Sequence, residues 1–266
     1  MSQHRIDRAF ARLRSEGRKG LIPFIAAGDP SLPATEALVR EFEARGADVI
    51  ELGVPFSDPL ADGVVNQRAY QRALLAGTTL PKVLETVARI RQHSEVPVVL
   101  MSYINPIHRF GLARFPAAAR AAGVDGLILC DCPPDEGEDF YRGLRGVGVH
   151  PIQLLAPTSP DRRIAMISGR GAGYLYYVSL RGVTGPRDRL PAGLRERIQH
   201  IRTLTTLPIA VGFGISTPEQ AATVAEFADA VIVGSALVAR VEEALGLPDL
   251  TKRAGDFLGG LRAALG

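Results

Sequence analysis

The sequence predicts a single (β/α)8 TIM barrel over residues 1–266, with an extra N-terminal helix. Three observations predict it. Short apolar runs alternate with helix-forming stretches from Leu21 to Val241, the pattern of a parallel sheet with crossover helices. There are eight such runs, and most show no polar alternation, as befits strands covered on both faces. Their openings also alternate in kind along the chain. A length of 266 residues suits one such barrel, since α/β barrels reach about 250 residues as one domain.

In chain order, a helix is expected over Arg5 to Glu16. The runs LIPFIAA, ADVIELG, VPVVLMSY, DGLILCD, HPIQLLAP, GYLYYVS, LPIAVGFG and DAVIVGS follow, each with a helical segment behind it. A last helix is expected over Leu250 to Leu265. Strands one, three, five and seven open on a residue before proline: Ile22-Pro23, Val96-Pro97, His150-Pro151 and Leu207-Pro208. Strands two, four and eight open on Ala47-Asp48, Val124-Asp125 and Ala228-Asp229, while Ala172-Gly173 of strand six breaks the rule. Proline is tolerated at the start of a strand, so these pairs mark the bottom of the sheet. A two-strand alternation suits a closed eightfold barrel, whose core layers draw on alternate strands.

The composition excludes several function classes. The start, MSQHRIDRAFARLRSEGRKG, has no apolar h-region, and no run of about 18 apolar residues follows, so no signal or membrane span is expected. The formal charge of +3 is mild; Arg5, Arg8 and Arg12 share a helix face that reads as solvated rather than as a nucleic-acid site. Cys130 and Cys132 are too close on one strand to bridge, which suits a reducing, cytoplasmic setting.

Chemistry in such barrels sits at the C-terminal, top ends of the strands. Lys19, Lys82 and Lys252 all fall elsewhere, against a Schiff-base aldolase. Of His4, His93, His108, His150 and His200, only His108 falls in a top loop, so no catalytic zinc or other metal site is expected. No Gly-rich dinucleotide fingerprint is present. Carboxylates remain for the proton chemistry.

Strand two runs into ELGVPFSDPLADG, residues 51–63. Glu51, between Ile50 and Leu52, is placed where desolvation raises a carboxyl toward neutrality; the alternative is a structural carboxylate bonded to backbone amides. Asp62 shares a Gly- and Pro-fixed loop with Asp58, and either alone also reads as a turn residue. Small-residue loops at Gly182-Val183-Thr184-Gly185, Gly212-Phe213-Gly214-Ile215-Ser216 and Gly234-Ser235 top the last three strands. That arrangement suits a phosphate-bearing substrate.

These residues resemble the tryptophan synthase alpha family along nearly the whole chain. The matching stretches are IPFIAAGDP at 22–30, ELGVPFSDPLADG at 51–63, LMSYINP at 100–106, GVTG at 182–185, VGFGIS at 211–216 and VIVGSALV at 231–238. The resemblance implies cleavage of indole-3-glycerol phosphate to indole and glyceraldehyde 3-phosphate. Glu51 resembles the acid/base that protonates indole C3, and Asp62 the carboxylate that holds indole N1–H. Phe24, Met101, Ile128, Cys130, Leu154, Tyr176 and Phe213 match the indole pocket, with Tyr176 expected to touch Glu51 or substrate. Gly185, Gly214, Gly234 and Ser235 match the phosphate cradle, and Thr184 a loop residue that closes over Asp62.

No cofactor is implied for this chain; pyridoxal phosphate is expected in a beta-subunit partner, in an αββα heterotetramer. By resemblance Pro55, Asp58, Asn105, His108 and Asp131 face that partner. Three departures stand out. Val64-Val65-Asn66-Gln67 replaces the family's frequent Pro-x-Ile-Gln, Arg181 stands where a small residue is usual, and Ala26 replaces a common threonine. The alternatives are a stand-alone lyase releasing free indole, another phosphosugar barrel enzyme, and an idle allosteric partner of beta.

Overall fold

The computed structural model describes residues 4–178, 193–212 and 214–266. Its strands are β1 (Gly20–Ala26), β2 (Ile50–Gly53), β3 (Val98–Ser102), β4 (Gly126–Leu129), β5 (His150–Pro151), β6 (Gln153–Leu155), β7 (Leu175–Val178), β8 (Ile209–Gly212) and β9 (Ala230–Val233). All pair in parallel, in the order β5-β4-β3-β2-β1-β9-β8-β7-β6.

The two ends of that order are halves of one expected strand, so the sheet closes on itself there. The run HPIQLLAP, expected as one strand, divides at Ile152. Its first half pairs with β4 and its second with β7. Pro151 has no N–H to give the ladder, and the strand hands over from one neighbour to the other at the next residue.

Each strand alternates inward and outward residues, and both faces are apolar. Ile22, Val49, Val99, Ile128, Ile152, Tyr174, Ala210, Ala230 and Ile232 fill the barrel interior. Leu21, Ile25, Ile50, Leu52, Val98, Leu100, Leu127, Leu175 and Val231 pack outward under the helices. The N-terminal helix is found at Arg5–Ser15 and the C-terminal one at Leu250–Ala263, close to expectation. The first helix plugs the bottom of the barrel with Ile6, Phe10 and Leu13.

The alternating strand openings have a physical cause. Asp48 Oδ2 accepts the backbone N–H of Leu21 at 3.0 Å, Asp125 Oδ2 that of Val98 at 2.9 Å, and Asp229 Oδ2 that of Ile209 at 2.8 Å. Each aspartate thus ties its strand to the preceding, proline-bearing one. Arginines balance the buried charge: Arg12 and Arg262 on Asp48, Arg5 and Arg91 on Asp125, Arg202 on Asp229. Strand five is followed by a strand that lacks such an aspartate, and it is the strand that divides. The clamps also engage Arg5 and Arg12, two of the four arginines on the first helix.

Candidate active site

Glu51 points inward by alternation, since Ile50 and Leu52 pack outward. It is fully buried. Tyr174 donates its hydroxyl to Glu51 Oε1 at 2.6 Å, and Oε2 has no hydrogen-bond partner among the described residues. Burial pushes the carboxyl up to about 8, against the opposing effect of the Tyr174 bond. No backbone amide among the described residues donates to it, so the structural alternative has no support there. The tyrosine hydroxyl bonded to Glu51 is that of Tyr174; Tyr176 was expected to touch Glu51 or substrate. Both lie on the inward face two residues apart, and period-two alternation from Tyr176 already marked Tyr174 as its neighbour.

Asp62 lies in the loop after β2, one residue before the glycine that caps the helix Val64–Leu75. It is 3% exposed. Tyr103, which follows β3, donates to Oδ2 at 2.6 Å, and Asn66 Nδ2 donates to Oδ1 at 3.0 Å. The Tyr103 hydroxyl also accepts the Ala61 N–H at 3.0 Å, so one side chain fixes both the loop and its carboxylate. Burial raises the Asp62 pKa, while the two donors favour the ionised form. Asp58 is exposed and takes its neighbour Ser57 as partner at 2.5 Å, which fits a turn residue. Tyr103 and Asn66 had no signal of their own in the sequence; their role depends on where the loop folds.

Phe24, Met101, Ile128, Leu154 and Tyr176 sit on inward positions of β1, β3, β4, β6 and β7. Cys130 follows β4 rather than lying on it, and both cysteines are free. Burial holds the Cys130 thiol well above its ordinary pKa, so it is an inert wall. Close approach explains two glycines. A Cβ on Gly53 would stand 2.6 Å from the Tyr70 hydroxyl and 2.7 Å from Phe24 Cζ; one on Gly212 would stand 2.5 Å from the Tyr176 hydroxyl. Tyr70, fully buried, is therefore a further wall residue that the sequence did not single out.

Gly234 caps the helix Ser235–Glu243, Ser235 is buried, and Gly214 adopts φ 59°. A glycine-led helix start of this kind can receive an anion. Arg181, Thr184, Gly185 and Phe213 lie outside the described residues. Lys19, Lys82 and Lys252 bond to Ala228 O, Gly77 O and Asp256, all away from the site.

At the top, a cleft of about 450 Å³ is lined by Phe56, Asp58, Leu60, Ala61, Tyr103, Asn105, Cys130 and Asp131. Asp58, Asn105, His108 and Asp131 are exposed, as a partner-facing surface requires, and Leu60 is 90% exposed. Pro55, expected on the same surface, is buried in the isolated chain. At the opposite end, His4, Asp7 and His150 come together. The two imidazoles stack 3.4 Å apart at 18°, so their in-plane lone pairs run nearly parallel instead of meeting at one point. The trio clasps the first helix to β5.

Among the described residues no helix is long and apolar enough to cross a membrane. The family model for the tryptophan synthase alpha chain matches residues 10–255. The alpha chain of Geotalea uraniireducens is 49% identical over 261 residues, covering 98% of this chain and 97% of that protein. That of Burkholderia thailandensis is 50% identical over 262 residues, covering 98% and 96%. The crystal structure of the alpha chain from Legionella pneumophila superposes with a TM-score of 0.92 at 41% identity, over 99% of this chain and 98% of that one. A tryptophan synthase complex from Pyrococcus furiosus gives 0.85 at 35% identity, over 92% and 99%. With that family model spanning most of its length, the chain belongs to the tryptophan synthase alpha chain family.

Proposed function

We propose that Glu51 and Asp62 carry out a cofactor-free retro-aldol cleavage at the top of this barrel. The chain is a carbon–carbon lyase that converts indole-3-glycerol phosphate to indole and glyceraldehyde 3-phosphate. Glu51, protonated at neutral pH, gives its proton to indole C3, and the ring becomes an iminium whose N1–H is held by the Asp62 carboxylate. The Glu51 carboxylate then takes the proton of the hydroxyl on the carbon bonded to C3. As that O–H pair becomes the aldehyde C=O, the C3–carbon bond breaks and its electrons restore the indole. Glu51 ends protonated, as it began.

Positioned proton transfer contributes about 10²–10⁴-fold. The observation that carries the assignment is the pairing of a fully buried carboxyl, free at one oxygen, with a second carboxylate held by two donors. Phe24, Met101, Ile128, Cys130, Leu154 and Tyr176 wall the indole, and Gly214, Gly234 and Ser235 take the phosphate; Phe213, Gly185 and Thr184, which the resemblance assigns beside them, lie outside the described residues.

Indole passes to a beta subunit, which holds the pyridoxal phosphate of tryptophan synthesis, in an αββα assembly. The exposed Leu60, Asp58, Asn105, His108 and Asp131 around the top cleft supply the contact. Two free cysteines favour a cytoplasmic setting. The test is indole release from indole-3-glycerol phosphate by the full chain, with and without a cognate beta subunit. Slow release that rises steeply with beta is expected. Rapid release that beta leaves unchanged establishes the stand-alone lyase, and no release in either case overturns the reaction.

A further inference from the structure

Among the departures from the family pattern that fall in the described residues, Asn66 bonds directly to a carboxylate of the site. It stands where the family frequently has isoleucine, in the first turn of the helix Val64–Leu75, and it is 6% exposed. Its Nδ2 donates to Asp62 Oδ1 at 3.0 Å. Its Oδ1 is buried with no hydrogen-bond partner among the described residues. The reverse orientation of the amide would set two acceptors face to face, so Asp62 fixes which way it points. A buried carbonyl left unpaired is costly, and an isoleucine would fill the same space without that cost. The position therefore keeps an acceptor that the free protein does not use.

The substrate supplies what such an acceptor needs. Protonation at C3 spreads positive charge over N1 and C2 of the ring, and the N–H and C–H of that edge become stronger donors. We propose that Asn66 is a positioning and recognition residue for this step: its N–H fixes the Asp62 carboxylate, and its Oδ1 accepts the cationic edge of the indole beside it. The proposal rests on the assignment of Asp62 above. It predicts an effect on turnover greater than on substrate binding, because the interaction strengthens only as charge develops.

The other ionisable groups near Asp62 are Asp58 and Asp131 in the cleft it adjoins, and four buried groups: Tyr70 on the Asn66 helix, Tyr103 after β3, Cys130 after β4 and Tyr176 on β7. Burial raises the pKa of all four, so none of them loses a proton on the acid side of neutrality. Glu51 is neutral there. Asn66 favours the ionised form of Asp62, so loss of its donor should move the part of the acid limb that Asp62 sets to higher pH.

The experiment measures cleavage from pH 5 to 9 by the full chain with its beta subunit, for wild type, Asn66→Leu, Asn66→Gln and Asp62→Asn. For Asn66→Leu, kcat should fall about 10- to 100-fold, KM should change less, and the acid limb should rise. Asn66→Gln should recover part of the loss. Wild-type kcat and an unmoved limb in Asn66→Leu would overturn the proposal, as would a lower melting temperature as the sole change. If Leu disrupts folding, Asn66→Ala, which adds no bulk, carries the same expectation and the same refutation. An active Asp62→Asn overturns the assignment of Asp62 itself; an inactive one beside an unimpaired Asn66→Leu overturns this inference alone.

Discussion

Replacing Glu51 with glutamine separates catalysis from stability, because the two should move in opposite directions. Folding raises this carboxyl from its ordinary 4.5 to about 8, with burial the cause. The folded state therefore binds a proton that the unfolded chain has released over that range, and stability falls as pH rises from about 4.5 to about 8. At about 1.4 kcal/mol per pH unit, the full loss is on the order of 5 kcal/mol. Glutamine cannot ionise, so the Glu51→Gln chain should lack this slope. It still leaves one buried amide group without a partner, at a cost of about 1–3 kcal/mol that does not vary with pH. Urea denaturation of both chains at pH 5 and pH 9 isolates the effect, since every other titrating group cancels in the comparison. The variant should gain several kcal/mol on wild type between the two pH values while indole release falls by about 10²-fold or more. Parallel stability–pH curves would refute the buried, unpaired carboxyl, and a variant that releases indole at the wild-type rate would refute its role as acid.

Three further substitutions probe the surroundings. Tyr174→Phe removes the hydroxyl that bonds Glu51 Oε1, so the alkaline limb of kcat should move above about 8 and stability should fall by about 1–2 kcal/mol, measured by a pH–rate profile and urea melts. Gly53→Ala places a methyl 2.6 Å from the Tyr70 hydroxyl, so it should cost about 1–3 kcal/mol and lower kcat/KM as Phe24 and Tyr70 are displaced. Asp125→Ala takes the buried carboxylate from Arg91 and Arg5 and leaves the Val98 amide without its acceptor at the bottom of the barrel. It should destabilise by about 3–5 kcal/mol in chemical denaturation while leaving kcat per folded molecule unchanged.

The fold was legible because periodicity and punctuation agreed. Eight apolar runs, seven of them with proline or aspartate at their openings, could be assigned without knowing any contact, and the aspartates prove to be the groups that tie neighbouring strands together. The division of strand five at Ile152 was not legible: it follows from which neighbour each half pairs with, a property of the closed barrel. Glu51 was legible as an acid on an otherwise apolar strand. Asp62 was readable mainly through its motif, because Asp58 in the same loop has the same local chemistry and only the fold separates a buried residue from an exposed one. Tyr174, Tyr103 and Asn66 were missed because each acts across a long stretch of chain or from a helix start that no residue type announces. The burial of Pro55 was not legible for a related reason: its loop reaches the surface at Ser57 and Asp58, and only the fold shows that the proline is enclosed.

The two carboxylates must begin the reaction in opposite protonation states, and the barrel supplies this through unequal numbers of donors. Glu51 is entirely enclosed with one hydroxyl on it, which favours the neutral acid. Asp62, in a loop, has a phenol and an amide aimed at it, which favours the anion. The donor on Glu51 is held from below: Tyr174 packs against Phe10 of the first helix at 5.6 Å, and that helix is clasped at the bottom by Asp7 and His150. The extra helix outside the eightfold pattern therefore bears on the chemistry as well as closing the barrel. Loosening it should free Tyr174 and raise the Glu51 pKa further, in the same direction as removal of the tyrosine hydroxyl. A Phe10→Ala chain should thus show the alkaline shift of Tyr174→Phe in weaker form, and an unmoved limb there would mean that β7 alone holds the tyrosine in place.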